Sequence, residues 1–188
     1  MQLLKKYLTV KKLQTVELER KTVEEFKSAK KIPIVIILDN IRSLNNVGSV
    51  FRTADAFLVE RILLCGITGC PPHRDIQKTA LGATETVNWE YFENTESAVK
   101  KLKEEDFEII AIEQTDASVP LQQFNPDNTK RYALIFGNEV NGVSEEILPY
   151  CNLSLEIPQY GYKHSLNISV TVGIIIWDFV NKIKFPSL

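Results

Sequence analysis

Long apolar runs are missing from this sequence. No stretch of eighteen or more apolar residues occurs, which argues against a helical membrane span. No hydrophobic signal-peptide core opens the chain, so secretion is not expected. Cysteine is scarce: Cys65, Cys70 and Cys151 make an odd count, which argues against a disulfide framework and fits a reducing cytoplasm. Cys65, Cys70 and His73 lack the spacing of a zinc finger or ribbon, so no metal is expected. No GxGxxG follows the first apolar run and no Walker lysine is present, which removes the usual dinucleotide and P-loop readings.

The 188 residues are 44% hydrophobic and 24% charged, enough for one domain with a real core. The net charge of −2 does not advertise nucleic acid, but it is unevenly spread. Residues 1–31 carry nine Lys/Arg against four Glu, a balance of +5 that leaves −7 on the remainder. Such an arm is either a solvated helix or a handle for phosphate backbones. One or two helices are expected there, with Leu3, Leu4, Tyr7, Leu8, Val16, Leu18, Val23 and Phe26 as apolar faces. At Pro33 the pattern changes, and Ile34-Val35-Ile36-Ile37-Leu38 reads as a strand buried on both faces of a parallel sheet. Strands follow at 61–65, 107–113, 132–136 and 153–157, and helices at 46–57, 76–81, 95–103 and 166–182, with a helical turn at 145–148. The alternation predicts an α/β domain over residues 32–188, a mainly parallel sheet with flanking helices, preceded by a short helical extension. The last helix is apolar almost all round, so more than one side must be covered.

Three stretches stand at carboxyl ends of predicted strands, where open α/β sheets bind ligands. In the first, Asp39 to Thr53, either Asn45 or Asn46 can cap a helix, and Arg52 falls among Val50, Phe51, Ala54 and Phe57, a buried setting in which an arginine needs a partner. In the second, Phe136-Gly137-Asn138-Glu139-Val140-Asn141-Gly142-Val143-Ser144, two glycines bracket a carboxylate. A tight turn with Ser144 as cap explains Gly142 and Ser144 but not Glu139. In the third, Ile157-Pro158-Gln159-Tyr160-Gly161-Tyr162-Lys163-His164-Ser165-Leu166-Asn167, Ser165 is a candidate cap, and Asn167 lies too far along to share that role.

Together these stretches, from about Ile34 to Val180, resemble the three ordered motifs of the SpoU (TrmH-like) RNA 2′-O-ribose methyltransferases, a branch of the SPOUT superfamily. The resemblance implies a C-terminal trefoil knot, an S-adenosylmethionine pocket within it, and a homodimer. It implies Asn46, Arg52, Glu139, Ser165 and Asn167 as catalytic residues. Around the cofactor it implies Leu134, Gly137, Asn138, Ile157, Gln159, Gly161, Ser165 and Leu166. Departures are Leu58, where the family usually has glycine, and Gln159, where methionine is common; His164 is not a motif residue.

The implied reaction is in-line attack of a ribose 2′-hydroxyl on a sulfonium methyl, which requires a base or an alkoxide stabiliser. A guanidinium holds its proton tenaciously, so Arg52 is preferred as a cation gripping phosphate and developing alkoxide, with Asn46 orienting it or the ribose. His164 is an alternative base, because imidazole titrates near neutrality. Lys5, Lys6, Lys11, Lys12, Arg42, Arg74 and Lys78 are candidate RNA contacts. No separate N-terminal RNA-binding domain is evident, which by analogy favours tRNA over rRNA. The rival readings are a non-catalytic RNA-binding protein of the same fold and a small-molecule-binding α/β domain.

Overall fold

The computed structural model describes residues 11–14, 17, 21–163 and 165–184. Lys5, Lys6, His164 and the apolar positions Leu3, Leu4, Tyr7, Leu8, Val16 and Leu18 of the arm lie outside them. Within the arm a helix, α1 (Val23–Ser28), is set by a capping box in which Thr22 and Glu25 satisfy each other's backbone N–H. Its Phe26 is buried, docking this helix on the body.

The body is built on β1 (Ile32–Asp39), whose residues 34–38 are all inaccessible to solvent. It is followed by α2 (Leu44–Ala56), β2 (Val59–Cys65), α3 (Arg74–Ala80), α4 (Ala83–Thr86), β3 (Asn88–Phe92), α5 (Thr95–Glu104) and β4 (Phe107–Ile112). Then come β5 (Val119–Pro120), β6 (Arg131–Phe136), β7 (Leu153–Glu156) and α6 (Ile168–Lys184). Among the described residues the seven strands form one parallel sheet in the order β3-β2-β1-β6-β4-β7-β5. β6 therefore slots between β1 and β4, and β7 between β4 and β5, each entering between strands that precede it in the chain.

The pleat sends alternate β1 residues to opposite faces. Ile34, Ile36 and Leu38 join one core with Val47, Val50, Phe51 and Ala54 of α2 and Val172, Ile175, Ile176 and Phe179 of α6. Val35 and Ile37 join a second with Ala98, Val99 and Leu102 of α5 and with Val143 and Ile147. One face of α6 is buried, while Val170, Ile174 and Trp177 at helical spacing leave an exposed stripe. Trp177 meets Phe57, with ring centroids 6.0 Å apart. Lys182 Nζ donates to the carbonyl oxygens of Leu121 at 2.9 Å and Phe124 at 2.8 Å, anchoring the end of α6 to the stretch after β5. Leu58, just past α2, sits at φ +54, the left-handed conformation that glycine takes freely. Among the described residues no helix is long and apolar enough to cross a membrane.

Candidate active site

Parallel pairing places the carboxyl ends of β1, β6, β4 and β7 side by side, so their loops share one edge of the sheet. At the end of β1, Asp39 is fully buried. Its carboxylate accepts from Asn40 Nδ2 at 2.9 Å, from the Thr95 hydroxyl, and from the Ser144 backbone N–H at 2.8 Å. It thereby ties the first stretch to the second and to α5. Sequence reasoning missed this residue, although a carboxylate closing an inaccessible apolar run was the signal for it.

The helix α2 is capped by Ser43, whose Oγ accepts from Asn46 N at 3.3 Å, not by either asparagine as expected. That frees the Asn46 side chain. Its Nδ2 donates to Glu139 Oε1 at 3.2 Å, and its Oδ1 accepts from Asn167 Nδ2 at 3.3 Å. Glu139 also accepts from the backbone N–H groups of Arg42 at 3.0 Å and Ser43 at 3.1 Å. Burial pushes its carboxyl up, but the backbone donors of Arg42, Glu139 itself and Ser43, with the Asn46 amide, prevail and hold it below the ordinary glutamate value. Asn167, not Ser165, is the cap of α6: its Oδ1 accepts from Ser169 N at 2.8 Å and from Ser169 Oγ at 2.7 Å. One residue from each stretch is thus joined in a single hydrogen-bonded chain, Glu139–Asn46–Asn167.

The second stretch folds back on itself. Asn138 N donates to Gly142 O at 2.9 Å, and Asn138 Oδ1 accepts from Val140 N at 2.9 Å and Asn141 N at 3.3 Å. Asn138 Nδ2 donates to Asn40 O at 2.7 Å, pinning the loop to the end of β1. A Cβ on Gly137 would lie 2.0 Å from the backbone of Gly142 and Val143. One on Gly142, at φ +71, would lie 2.2 Å from Glu113 Oε2. Gly137 is therefore fixed by close approach of backbone, and Gly142 by its left-handed φ.

Beside this loop opens a cleft of about 560 Å³, lined among others by Gly137, Asn138, Glu139, Ile157, Gln159, Ser165, Leu166 and Asn167. Leu134 is inaccessible within β6, and Gly161 lies outside the cleft lining. Glu113 and Glu156 line the cleft with Glu139, and Ile112, Phe136, Leu155 and Ile157 supply apolar walls. Three carboxylates suit a cationic ligand, and apolar walls beside loop backbone suit a heteroaromatic ring. The Ser165 hydroxyl has no hydrogen-bond partner among the described residues. No group of three or more His, Cys, Asp or Glu placed to hold a metal is found among them.

Arg52 is not inside the helix packing, as its apolar neighbours had suggested; it is exposed, because it falls on the solvent face of α2 with Ser49, Thr53 and Ala56. With Lys78, Thr79, Leu81 and Phe57 these residues line a second depression of about 480 Å³. Neither Arg52 nor Lys78 has a hydrogen-bond or ion-pair partner among the described residues. Arg42 and Arg74 are exposed, as are Lys11, which pairs with Glu17 at 2.9 Å, and Lys12.

Residues 33–177 match the model of the SpoU rRNA Methylase family. The chain is 30% identical over 169 residues to a tRNA (guanosine(18)-2′-O)-methyltransferase of Aquifex aeolicus, covering 87% of this chain and 76% of that relative. It is 30% identical over 144 residues to the 23S rRNA (guanosine-2′-O-)-methyltransferase RlmB of Neisseria meningitidis, covering 77% of this chain and 56% of that one. The fold matches the crystal structure of an AdoMet-bound rRNA methyltransferase from Sinorhizobium meliloti with a TM-score of 0.74 at 25% identity, over 81% of this chain and 57% of that one. A clasp of Asn46, Glu139 and Asn167 on such a fold, with a family match over most of the chain, leaves one conclusion: this protein belongs to the SpoU rRNA methylase family.

Proposed function

We propose that this chain is an S-adenosylmethionine-dependent RNA methyltransferase acting on a ribose 2′-hydroxyl, with tRNA favoured over rRNA. The observation that carries the reading is the Glu139–Asn46–Asn167 chain beside a cleft walled by carboxylates, apolar side chains and tight loop backbone. The tRNA preference follows the Aquifex relative, which matches more of this chain than the rRNA-modifying Neisseria relative does.

Gly137, Asn138, Ile157, Gln159, Ser165 and Leu166 would hold the cofactor, with Glu113, Glu139 and Glu156 offsetting its positive charge. When bound, S-adenosylmethionine supplies an electrophilic methyl group on a sulfonium. Glu139, held ionised by its donors, is an anchor for Asn46 and the loop before α2, not a proton acceptor. Arg52, with Lys78 beside it, grips the phosphate next to the target ribose and stabilises the alkoxide, while the proton passes to phosphate or water. Arg52 and the cleft lie apart within one chain, and the depression holding Arg52 meets the exposed Val170–Ile174–Trp177 stripe at Phe57. This supports a homodimer in which Arg52 serves the partner's cleft. The entry of β6 and β7 between earlier strands supports the family's trefoil knot over residues 32–188. Residues 1–31, with Lys5, Lys6, Lys11 and Lys12, form a basic extension contacting RNA backbone alongside Arg42 and Arg74, in the cytoplasm.

Calorimetric titration should show S-adenosylmethionine binding equally to wild type and Arg52→Ala, while methyl transfer to tRNA falls by roughly a hundredfold or more in the variant. Undiminished transfer by Arg52→Ala would remove its role, and no cofactor binding by wild type would remove the function.

A further inference from the structure

The loop between β7 and α6 carries two tyrosines that the fold leaves unused. Tyr160 is 94% exposed and Tyr162 is 90% exposed. Tyrosine is ordinarily at least half covered, because its ring belongs with apolar surface and only its hydroxyl with water. Here neither hydroxyl has a hydrogen-bond partner among the described residues. Between the rings stands Gly161, at which a Cβ would meet nothing within 4 Å, so the chain's own packing does not require glycine there. The place is specific: Gln159 on one side and Ser165 on the other both line the cleft. Beside the second ring, Lys163 Nζ lies 5.6 Å from the Tyr162 centroid, putting a cation where a phosphate next to a stacked base would pass.

Resting on the methyltransferase reading, we propose that Tyr160 and Tyr162 form a stacking platform for unpaired nucleobases of the RNA substrate at the mouth of the cleft. Aromatic faces take any base, so the platform selects RNA whose target region is single-stranded over duplex RNA. Lys163 supplies the backbone contact. The rings act on the substrate and not on the cofactor, whose contacts are the neighbouring residues of the loop. A second copy of this chain is the competing occupant, and the two are separable.

The test uses the full chain with two probes: an unmodified tRNA transcript, and a short single-stranded oligoribonucleotide carrying one 2-aminopurine, whose fluorescence is quenched by stacking. Replacing both rings (Tyr160→Ala with Tyr162→Ala) should abolish the quench and weaken tRNA binding by roughly tenfold to a hundredfold. S-adenosylmethionine affinity and sedimentation should be unchanged. Tyr160→Phe with Tyr162→Phe should stay within about twofold of wild type, because the ring is retained. Wild-type RNA affinity in the alanine variant overturns the platform, as does phenylalanine behaving like alanine. Loss of RNA affinity together with dissociation into smaller species would make the rings an interface between copies. If wild type transfers no methyl to any RNA, the methyltransferase reading fails first. If it does and the alanine variant matches it, only the platform fails.

Discussion

Glu139 is exposed, yet the backbone N–H groups of Arg42, Ser43 and Glu139 itself, with the Asn46 amide, converge on its carboxylate, and its role follows from that. The group titrates below its ordinary value in the folded chain. Its contribution is therefore complete above the ordinary glutamate range and is lost as pH falls through the lowered folded value. Glu139→Gln should lower kcat/KM by roughly tenfold to a hundredfold, since hydrogen bonds to a charged acceptor are the stronger kind. Followed by thermal unfolding, the stability gap between wild type and variant should hold from neutral pH down to the ordinary carboxylate range and close below it. A gap that widens on acidification would contradict the clasp. The cysteines make a separate check. Burial pushes the Cys65 thiol up to about 12 and the Cys151 thiol up to about 11, and burial also raises Cys70. Thiolate is the reactive form, so Ellman's reagent at neutral pH should leave Cys65 and Cys151 untouched until denaturant is added. Rapid native labelling of either would show that the sheet edges are open.

At the scale of elements, the sequence was most legible where burial imposed a pattern. The run Ile34 to Leu38 announced β1 because both its faces are covered, and α2 and α5 announced themselves by apolar residues at helical spacing. β3 was missed because it is one short stretch of polar–apolar alternation with four of its five residues exposed and no buried run to mark it, and β5 because two residues carry no period. The caps were misplaced for a related reason. Ser43, Asn45 and Asn46 are all good caps, and only tertiary contact with Glu139 decides among them. Of the candidate site, the loop residues were legible from strand ends and glycines. The position of Arg52 was not, since a helix face cannot be read without knowing what packs on it. Leu81 offers a test of local strain: it ends α3 in the left-handed region at φ 49 and is 66% exposed. Leu81→Gly should stabilise the protein by about 0.5–1 kcal/mol, read as a rise in denaturation midpoint at unchanged slope. A loss of stability would mean that the side chain is covered in solution.

At the scale of the whole molecule, the proposed homodimer leaves one chain with only part of the chemistry. The Asn46–Glu139–Asn167 chain lies within one subunit, whereas Arg52 lines a separate depression. If Arg52 serves the partner's cleft, mixing the impaired Arg52→Ala and Glu139→Gln variants should raise methyl transfer above that of either alone after subunit exchange, and Trp177→Glu should lower both the sedimenting mass and methyl transfer. No rise on mixing would place both residues in one chain's site. The most direct measurement of all is the position of the transferred methyl group. Purified protein is incubated with methyl-labelled S-adenosylmethionine and unmodified tRNA, and the RNA is then hydrolysed in alkali, which cannot cleave next to a 2′-O-methylated ribose. The account predicts label in alkali-resistant dinucleotides; label in mononucleotides, or none in RNA at all, would contradict it.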